Sequence, residues 1–97
     1  MAYRLTVSDR AALEIVEAYE WYQEQHPGLG FEFLEALDEQ FQAIIQSPQL
    51  YAQIHRGVRR ALLRRFPYGI FHALQGEIIS VLAVVRTSRS PRRWPRH

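Results

Sequence analysis

The spacing of apolar residues changes once along the chain, at Pro48, and this change decides the fold class. Before Pro48, apolar residues recur every three or four positions, which is the period of a helix packed on one side. After Pro48, runs rich in β-branched and aromatic residues are separated by turn residues, which is typical of strands. The sequence therefore predicts helices followed by a sheet, within a single domain of 97 residues.

Two helices are predicted before Pro48. Ser8 offers an N-cap oxygen to a helix over 9–25, and the sequence HPG at 26–28 ends it. A second helix follows and must end by Ser47, because proline disfavours helical backbone in the preceding residue. Its apolar stripe consists of Leu34, Leu37, Phe41, Ile44 and Ile45. The short connection predicts an antiparallel pair.

Strands are predicted on both sides of the helix pair. Alternation in AYRLTV predicts a strand over 2–7. The runs VRRALLRRF, YGIFHAL and EIISVLAVV predict a three-stranded antiparallel meander, with Gly76 in its second turn. The intervening SPQLYAQIHRG is expected to be a loop anchored by one or two aromatic side chains. The order is β-α-α-β-β-β, an α+β fold with the helices packed on one sheet face.

Charge is divided unevenly along the chain. Residues 1–50 carry nine acidic and two basic residues, a net charge of −7, whereas residues 51–97 carry ten arginines and one glutamate, a net charge of +9. All 12 basic residues are arginine. Two compatible explanations account for the use of arginine alone. A GC-rich genome favours arginine codons, and the forked guanidinium fits carboxylates and phosphates. The basic half predicts an anionic partner.

Several classes of protein are not expected. The sequence shows no apolar run long enough to span a membrane and no charged-then-apolar leader, so we expect a cytoplasmic protein without a membrane partner. There is no cysteine, and the histidines lack ligand spacing, so neither a metal nor another cofactor is expected. The four histidines are His26, His55, His72 and His97.

The first meander strand carries two arginine pairs, Arg59 and Arg60, then Arg64 and Arg65. Neighbours on a strand point to opposite faces, so one of each pair faces away from the helices. If Leu62 and Phe66 face the helices, the arginines lie at the margin or the strand bulges, so alternation does not assign their faces. They are either solvated charges that protect a sheet edge or part of a functional surface. That surface would continue into Arg86, Arg89, Arg92 and Arg93.

The last twelve residues, RTSRSPRRWPRH, contain five arginines, two prolines and no acid. The prolines prevent a regular helix there, and the arginines oppose burial without partners. We expect an accessible arginine surface, with Trp94 either docking it to the domain or contacting a target.

The sequence RRALLRRFPYGIFHALQGEIISVLAVVRTSRSPRRW, preceded by WYQEQHPGLGFEFLEAL, resembles the RelE/ParE superfamily of toxins from bacterial type II toxin-antitoxin modules. The resemblance extends from Tyr3 to Trp94. It implies one toxin domain over 1–90, an arginine-rich tail over 91–97 involved in activity, and a toxin-antitoxin hetero-oligomer. The antitoxin would have an acidic C-terminal segment that folds on binding. The target would be DNA gyrase or, alternatively, mRNA on the ribosome; an inactive relative that binds only its antitoxin is a third possibility.

The residues favour a gyrase inhibitor without catalytic residues. Metal-free RNA cleavage needs proton transfer and stabilisation of phosphate charge. In the ribonucleases of the superfamily, the position after the meander tyrosine is arginine, but it is Gly69 here, and Leu62 occupies another candidate position. Arg60 and Arg89 match basic positions and would be the catalytic pair of a ribonuclease. Arginine transfers protons poorly, and Trp94 does not transfer them at neutral pH.

Three other residues have a structural and a functional interpretation. His72 lies within GIFHAL and is expected to be a hydrogen-bonded core histidine rather than a general base. Trp21 and Tyr22 form either an interaction patch or a contact between helix and sheet.

The candidate residues for target or partner binding are Arg59, Arg60, Arg64, Arg65, Arg86, Arg89, Arg92, Arg93 and Trp94.

Overall fold

A computed structural model describes residues 2–87 of the chain. Its elements are β1 (Arg4–Val7), α1 (Asp9–Gln25), α2 (Leu29–Gln46), β2 (Gln53–His55), β3 (Val58–Leu62), β4 (Tyr68–Gln75) and β5 (Ile78–Arg86). The strands form one sheet in the order β1-β5-β4-β3-β2. The predicted α+β fold, with a helix hairpin on one face of the sheet, is confirmed.

The strand pairing differs from the prediction in two details. β2, expected to be part of a loop, pairs antiparallel with β3, so the meander has four strands. β1 lies parallel to β5, with Arg4 opposite Ile78 and Val7 opposite Val81, which makes the sheet mixed. A strand of three residues is too short to show alternation, and local sequence does not specify the direction in which distant strands pair.

Ser8 connects β1, α1 and β5. Its side-chain oxygen accepts a hydrogen bond from the Ala11 N–H at 3.0 Å, which caps α1 as predicted. The same hydroxyl donates to the Leu82 carbonyl at 3.1 Å, and the Ser8 backbone N–H donates to the Val81 carbonyl at 3.0 Å. The start of α1 is therefore fixed at the point where β1 stops pairing with β5.

The helix hairpin is held together at its closed end by Gln23. Its side-chain oxygen accepts hydrogen bonds from the N–H groups of Gly28 at 2.9 Å and Gly30 at 2.8 Å. A Cβ atom at Gly30 would lie only 2.6 Å from Cγ of Gln23 and 2.7 Å from the carbonyl oxygen of Tyr19. The two helices approach closely here because residue 30 has no side chain.

The core lies between the helix pair and one face of the sheet. The helices contribute the buried residues Ala11, Ala18, Tyr22, Phe33, Leu37 and Ile44, and the sheet contributes Ala61, Ile70, Ile79, Val81 and Val84. At one end, four aromatic rings pack with centroid distances between 4.9 and 6.2 Å. We call this the aromatic cluster; it consists of Tyr22, Phe33, Phe66 and Tyr68.

A bulge in β5 gives α1 a second attachment to the sheet. Phe71 lies opposite Ala83 and His72 opposite Val81, so Leu82 is an extra residue. β1 pairs with β5 only as far as Val81. One carboxylate oxygen of Glu14 accepts the Val84 N–H at 2.8 Å, and the other lies 3.0 Å from Nε of Arg10. Glu14 thus satisfies a strand N–H beyond the end of β1.

Candidate target-binding surface

Arg60 lies on the sheet face opposite the helices. On β3, Ala61 is 1% exposed and pairs with the buried Ile70, so it faces the core. Alternation then places Arg60 and Leu62 on the other face, and Leu62 is 52% exposed. The arrangement in which Leu62 faces the helices is therefore not the one adopted, because the small Ala61 side chain fits against the core instead.

Gly69 provides the space in which the Arg60 side chain lies. Gly69 pairs with Leu62 across the strands. A Cβ atom at Gly69 would be 3.3 Å from Cδ of Arg60 and 3.6 Å from Cδ2 of Leu62. The aliphatic part of Arg60 thus lies against the backbone of Gly69, where a larger residue would crowd it.

Arg59 occupies the opposite side of the same strand. It pairs with the buried His72, and its Nη1 donates a hydrogen bond of 2.7 Å to the Tyr51 carbonyl. Arg59 is only partly exposed. Arg59 and Arg60 are therefore neighbours in sequence that face different sides of the sheet.

Arg64 and Arg65 were predicted to lie on the first meander strand, but β3 ends at Leu62, and both lie in the loop between β3 and β4, beside the acidic side of α2. They border a groove together with Glu35 and Glu39. Nη2 of Arg65 is 3.8 Å from an oxygen of Glu32, and both side chains are more than half exposed. An ion pair this exposed is screened by solvent and leaves both arginines accessible to a partner.

Arg86, the last residue of β5, lies against aromatic rings. Its guanidinium carbon is 5.4 Å from the ring centroid of Trp21 and 5.9 Å from that of Tyr68. Burial raises the pKa of the Tyr22 hydroxyl, Tyr68 adds to this effect, and the nearby Arg86 cation opposes it. Trp21 is 45% exposed and its ring centroid is 5.1 Å from that of Tyr22. Trp21 therefore combines the two roles considered for it, a packing contact and an exposed surface.

The structure thus brings together only some of the predicted arginines. Arg64 and Arg65 share one loop, whereas Arg60 lies on the open sheet face and Arg86 lies at the end of α1. The contact between Trp21 and Arg86 was not predicted, since no local pattern links residues so distant in sequence. Arg89, Arg92, Arg93 and Trp94 lie outside the described residues.

His72 is buried in the core, as expected, with 0% of its surface exposed. The expected hydrogen bond is weak: within residues 2–87 neither ring nitrogen has a partner at good geometry, and the ring interacts with the backbone of Ile70 and Pro48. The ring packs edge-on against Tyr51, with a centroid distance of 5.7 Å. Burial lowers the pKa of His72; weak hydrogen bonds to the backbone of Ile70 and Pro48 oppose this in part, and the Arg59 cation has a smaller lowering effect. His72 is neutral and inaccessible from the Arg60 face.

Residues 2–87 contain neither a cluster of metal ligands nor a membrane-spanning helix. No group of three or more potential ligands is arranged to hold a metal ion among residues 2–87. Neither described helix has the length and apolar character required to cross a bilayer.

Comparison with solved structures places this fold among toxins. The chain is similar to a chain of the chromosomal ParDE TA system from P. aeruginosa, with a TM-score of 0.80, 22% identity, and coverage of 90% of this chain and 98% of that chain. It is similar to the isolated E. coli RelE toxin, with a TM-score of 0.68, 21% identity, and coverage of 92% and 88%. The intact E. coli RelBE toxin-antitoxin complex gives a TM-score of 0.68, 20% identity, and coverage of 91% and 100%. At these identities the likeness establishes the fold.

Sequence comparison identifies the family. No curated protein matches the chain. The model of the family described as ParE toxin of type II toxin-antitoxin system, parDE, matches residues 5–91, which is most of the chain. The chain is a type II toxin that belongs to the ParE toxin family.

Proposed function

We propose that this toxin inhibits DNA gyrase by binding, without catalysing a reaction, and that a cognate antitoxin neutralises it in the cytoplasm. The observation that carries the choice of target is the composition of the open sheet face around Arg60. Gly69 and Leu62 stand at its side, and neither can donate or accept a proton.

Ribonuclease chemistry makes demands that this face does not meet. Cleavage of RNA requires a base for the 2′-hydroxyl and an acid for the leaving oxygen. The Arg60 guanidinium can stabilise negative charge, but arginine is a poor general acid or base. His72, on β4, is buried on the helix side of the sheet. This combination supports a binding surface for an anionic or acidic target rather than a catalytic centre.

The residues proposed to bind the target are those whose side chains a partner can reach. Arg64 and Arg65 are exposed in their loop, and Arg60 lies on the open face of the sheet. We add the arginine-rich tail, whose composition supports an accessible role. The proposed members of the tail are Arg89, Arg92, Arg93 and Trp94.

The proposed antitoxin has an acidic C-terminal segment that is disordered alone and orders on the toxin as an amphipathic helix and an added strand. The similar ParDE and RelBE structures, in which a toxin is named with its antitoxin, support a hetero-oligomer. Apolar residues of the segment would bind the helix pair and the sheet, while its carboxylates would meet the arginines.

The target is tested with purified toxin, gyrase and relaxed plasmid DNA. We expect the toxin to inhibit supercoiling, preincubation with antitoxin to restore it, and toxin expression to cause filamentation and DNA-damage signalling. Arg60→Gln is the matched variant, since it keeps part of the aliphatic stem and a polar end group but removes the cation. Under the proposal it weakens inhibition.

A parallel assay examines mRNA on ribosomes. Rapid cleavage at discrete codon positions would refute gyrase inhibition. Such cleavage should fall by orders of magnitude in Arg60→Gln, because the variant no longer stabilises phosphate charge. The similarity to the RelE toxin makes this the second candidate function. Neither inhibition nor cleavage, with antitoxin binding intact, would identify an inactive relative.

A further inference from the structure

Leu62 is a large apolar residue that the fold leaves exposed on the open sheet face. It lies within β3, not in a loop. Its neighbours in the chain, Ala61 and Leu63, are both buried, and the Leu63 N–H donates to the Tyr68 carbonyl at 3.0 Å. The backbone on both sides of Leu62 is therefore held in place, and the side chain is presented to solvent from a fixed position.

Gly69 creates a notch beside Leu62. A Cβ atom at Gly69 would lie 3.3 Å from Cδ of Arg60 and 3.6 Å from Cδ2 of Leu62, so these two side chains border the space that a side chain at residue 69 would fill. Val85 pairs with Gly69, and Phe71 pairs with Arg60. Because paired residues point to the same sheet face, both add half-buried apolar surface around that space. We call this surface the notch; it consists of Arg60, Leu62, Gly69, Phe71 and Val85.

The notch contains one cation among apolar groups. On the open face of β3, β4 and β5, Arg60 is the only basic residue among those that the structure describes. Arg4 shares this face but lies on β1, which β5 and β4 separate from β3. A surface that binds nucleic acid neutralises several phosphates with a series of Lys and Arg side chains. A single guanidinium beside apolar groups instead fits one carboxylate next to an apolar side chain, because exclusion of water strengthens the ion pair.

We propose that the notch binds a protein segment of the target in which an apolar side chain lies beside a carboxylate, and that Leu62 is the residue that selects the apolar side chain. This inference rests on the proposed function and adds that the notch contacts the protein of gyrase rather than its DNA. Arg60 holds the carboxylate. A guanidinium has five N–H donors, so Arg60 can bind a carboxylate while keeping contacts within its own chain.

The test measures the affinity of purified toxin for gyrase holoenzyme without DNA, and separately for a short DNA duplex alone. Leu62→Ala shortens the apolar side chain, whereas Leu62→Met preserves its volume. Gly69→Ala fills the notch with a methyl group. Leu13→Ala is the matched control, because Leu13 is 59% exposed, compared with 52% for Leu62, and lies on α1, on the other side of the sheet.

We expect the unmodified toxin to bind gyrase without DNA. Leu62→Ala should weaken this binding by about tenfold, as for a central interface residue, and Leu62→Met by about twofold at most. Gly69→Ala should also weaken it, although it adds apolar surface, because the methyl group displaces Arg60 and occupies the notch. Leu13→Ala should bind gyrase as the unmodified toxin does.

Several results would overturn the assignment, and each identifies another use of the notch. Equal gyrase affinities for Leu62→Ala and the unmodified toxin would exclude Leu62 from the contact. Loss of affinity for the duplex alone in Leu62→Ala would indicate a nucleic-acid surface, and loss of antitoxin affinity with unchanged gyrase affinity would indicate the antitoxin. A lower unfolding midpoint in Leu62→Ala would show that Leu62 packs within its own chain, and a changed oligomeric state would indicate a second copy.

Failure of the proposed function gives a different pattern of results. If the unmodified toxin neither binds gyrase nor inhibits supercoiling, gyrase is not the target, and the notch is judged by growth arrest in cells. A higher inducer concentration for arrest by Leu62→Ala than by Leu62→Met would then support the notch as a contact with another protein. Equal concentrations for the two variants would overturn it.

Discussion

His72 shows what a single buried residue can contribute beyond packing. Its apolar neighbours in GIFHAL were enough to predict that it lies in the core. The lack of a hydrogen bond of good geometry was not predictable, because groups around the ring come from the loop after α2 and from β3. An imidazole buried without a partner is tolerated when neutral and costly when charged.

The stability of the domain should therefore fall in mild acid. The folded-state pKa of His72 is lowered, so the unfolded chain binds the proton more readily. The contribution of His72 is complete above the unfolded value of about 6.5 and is lost as the pH falls below it, by up to about 1.4 kcal/mol per pH unit. Urea unfolding between pH 5 and 8 measures this loss, which His72→Phe should remove. Parallel pH profiles for the two chains would contradict the assignment.

At the scale of elements, the sequence predicted the long elements better than the short ones. Capping by Ser8 and the HPG break gave α1 its observed limits, and Pro48 gave the end of α2. β2 was missed because it has three residues. The bulge at Leu82 was hidden within a continuous apolar run, in which alternation cannot be followed. The faces of the arginine pairs depended on whether Ala61 or Leu62 met the core, and this is decided by packing.

The helix hairpin provides a test in which two effects of one substitution have opposite signs. In an isolated helix, Gly→Ala stabilises by about 0.5–1 kcal/mol. At Gly30, the added carbon would clash with Gln23 and with the Tyr19 backbone, so Gly30→Ala should instead destabilise the domain by about 1–3 kcal/mol. Urea unfolding measures the sign. Adding Gln23→Ala should not restore stability, because the Tyr19 carbonyl cannot move away and the hydrogen bonds that Gln23 accepts from Gly28 and Gly30 are lost as well. Full recovery would show that the Gln23 side chain alone sets the approach.

At the scale of the whole molecule, charge separates the two layers. The acidic residues lie mostly on α1 and α2, whereas the arginines after residue 50 lie on the sheet, its loops and the chain end. Composition predicted this polarity, although it did not predict that Arg60, Arg64 and Arg86 would lie at separate places. Such a charge distribution steers an acidic partner toward the sheet side before any contact forms.

The proposed antitoxin complex should consequently respond to salt in its association rate. Raising NaCl from about 0.1 to 1 M shortens the Debye length from about 10 to 3 Å. We expect association to slow at least tenfold while dissociation changes little, because apolar burial supplies most of the affinity and exposed ion pairs contribute about 0–1 kcal/mol each. Stopped-flow binding at several salt concentrations separates the two rates. A complex that dissociates at 1 M salt would contradict this division.

The pairing of β1 with β5 also determines the stage of synthesis at which the sheet can be completed. β1, near the start of the chain, finds its neighbour in the sheet only when Ile78 to Val81 have been made. The helix hairpin needs only local contacts and can form earlier, whereas pairing between such distant segments comes late in folding. A chain whose synthesis stops before β5 therefore lacks the partner strand of β1 and has an incomplete sheet.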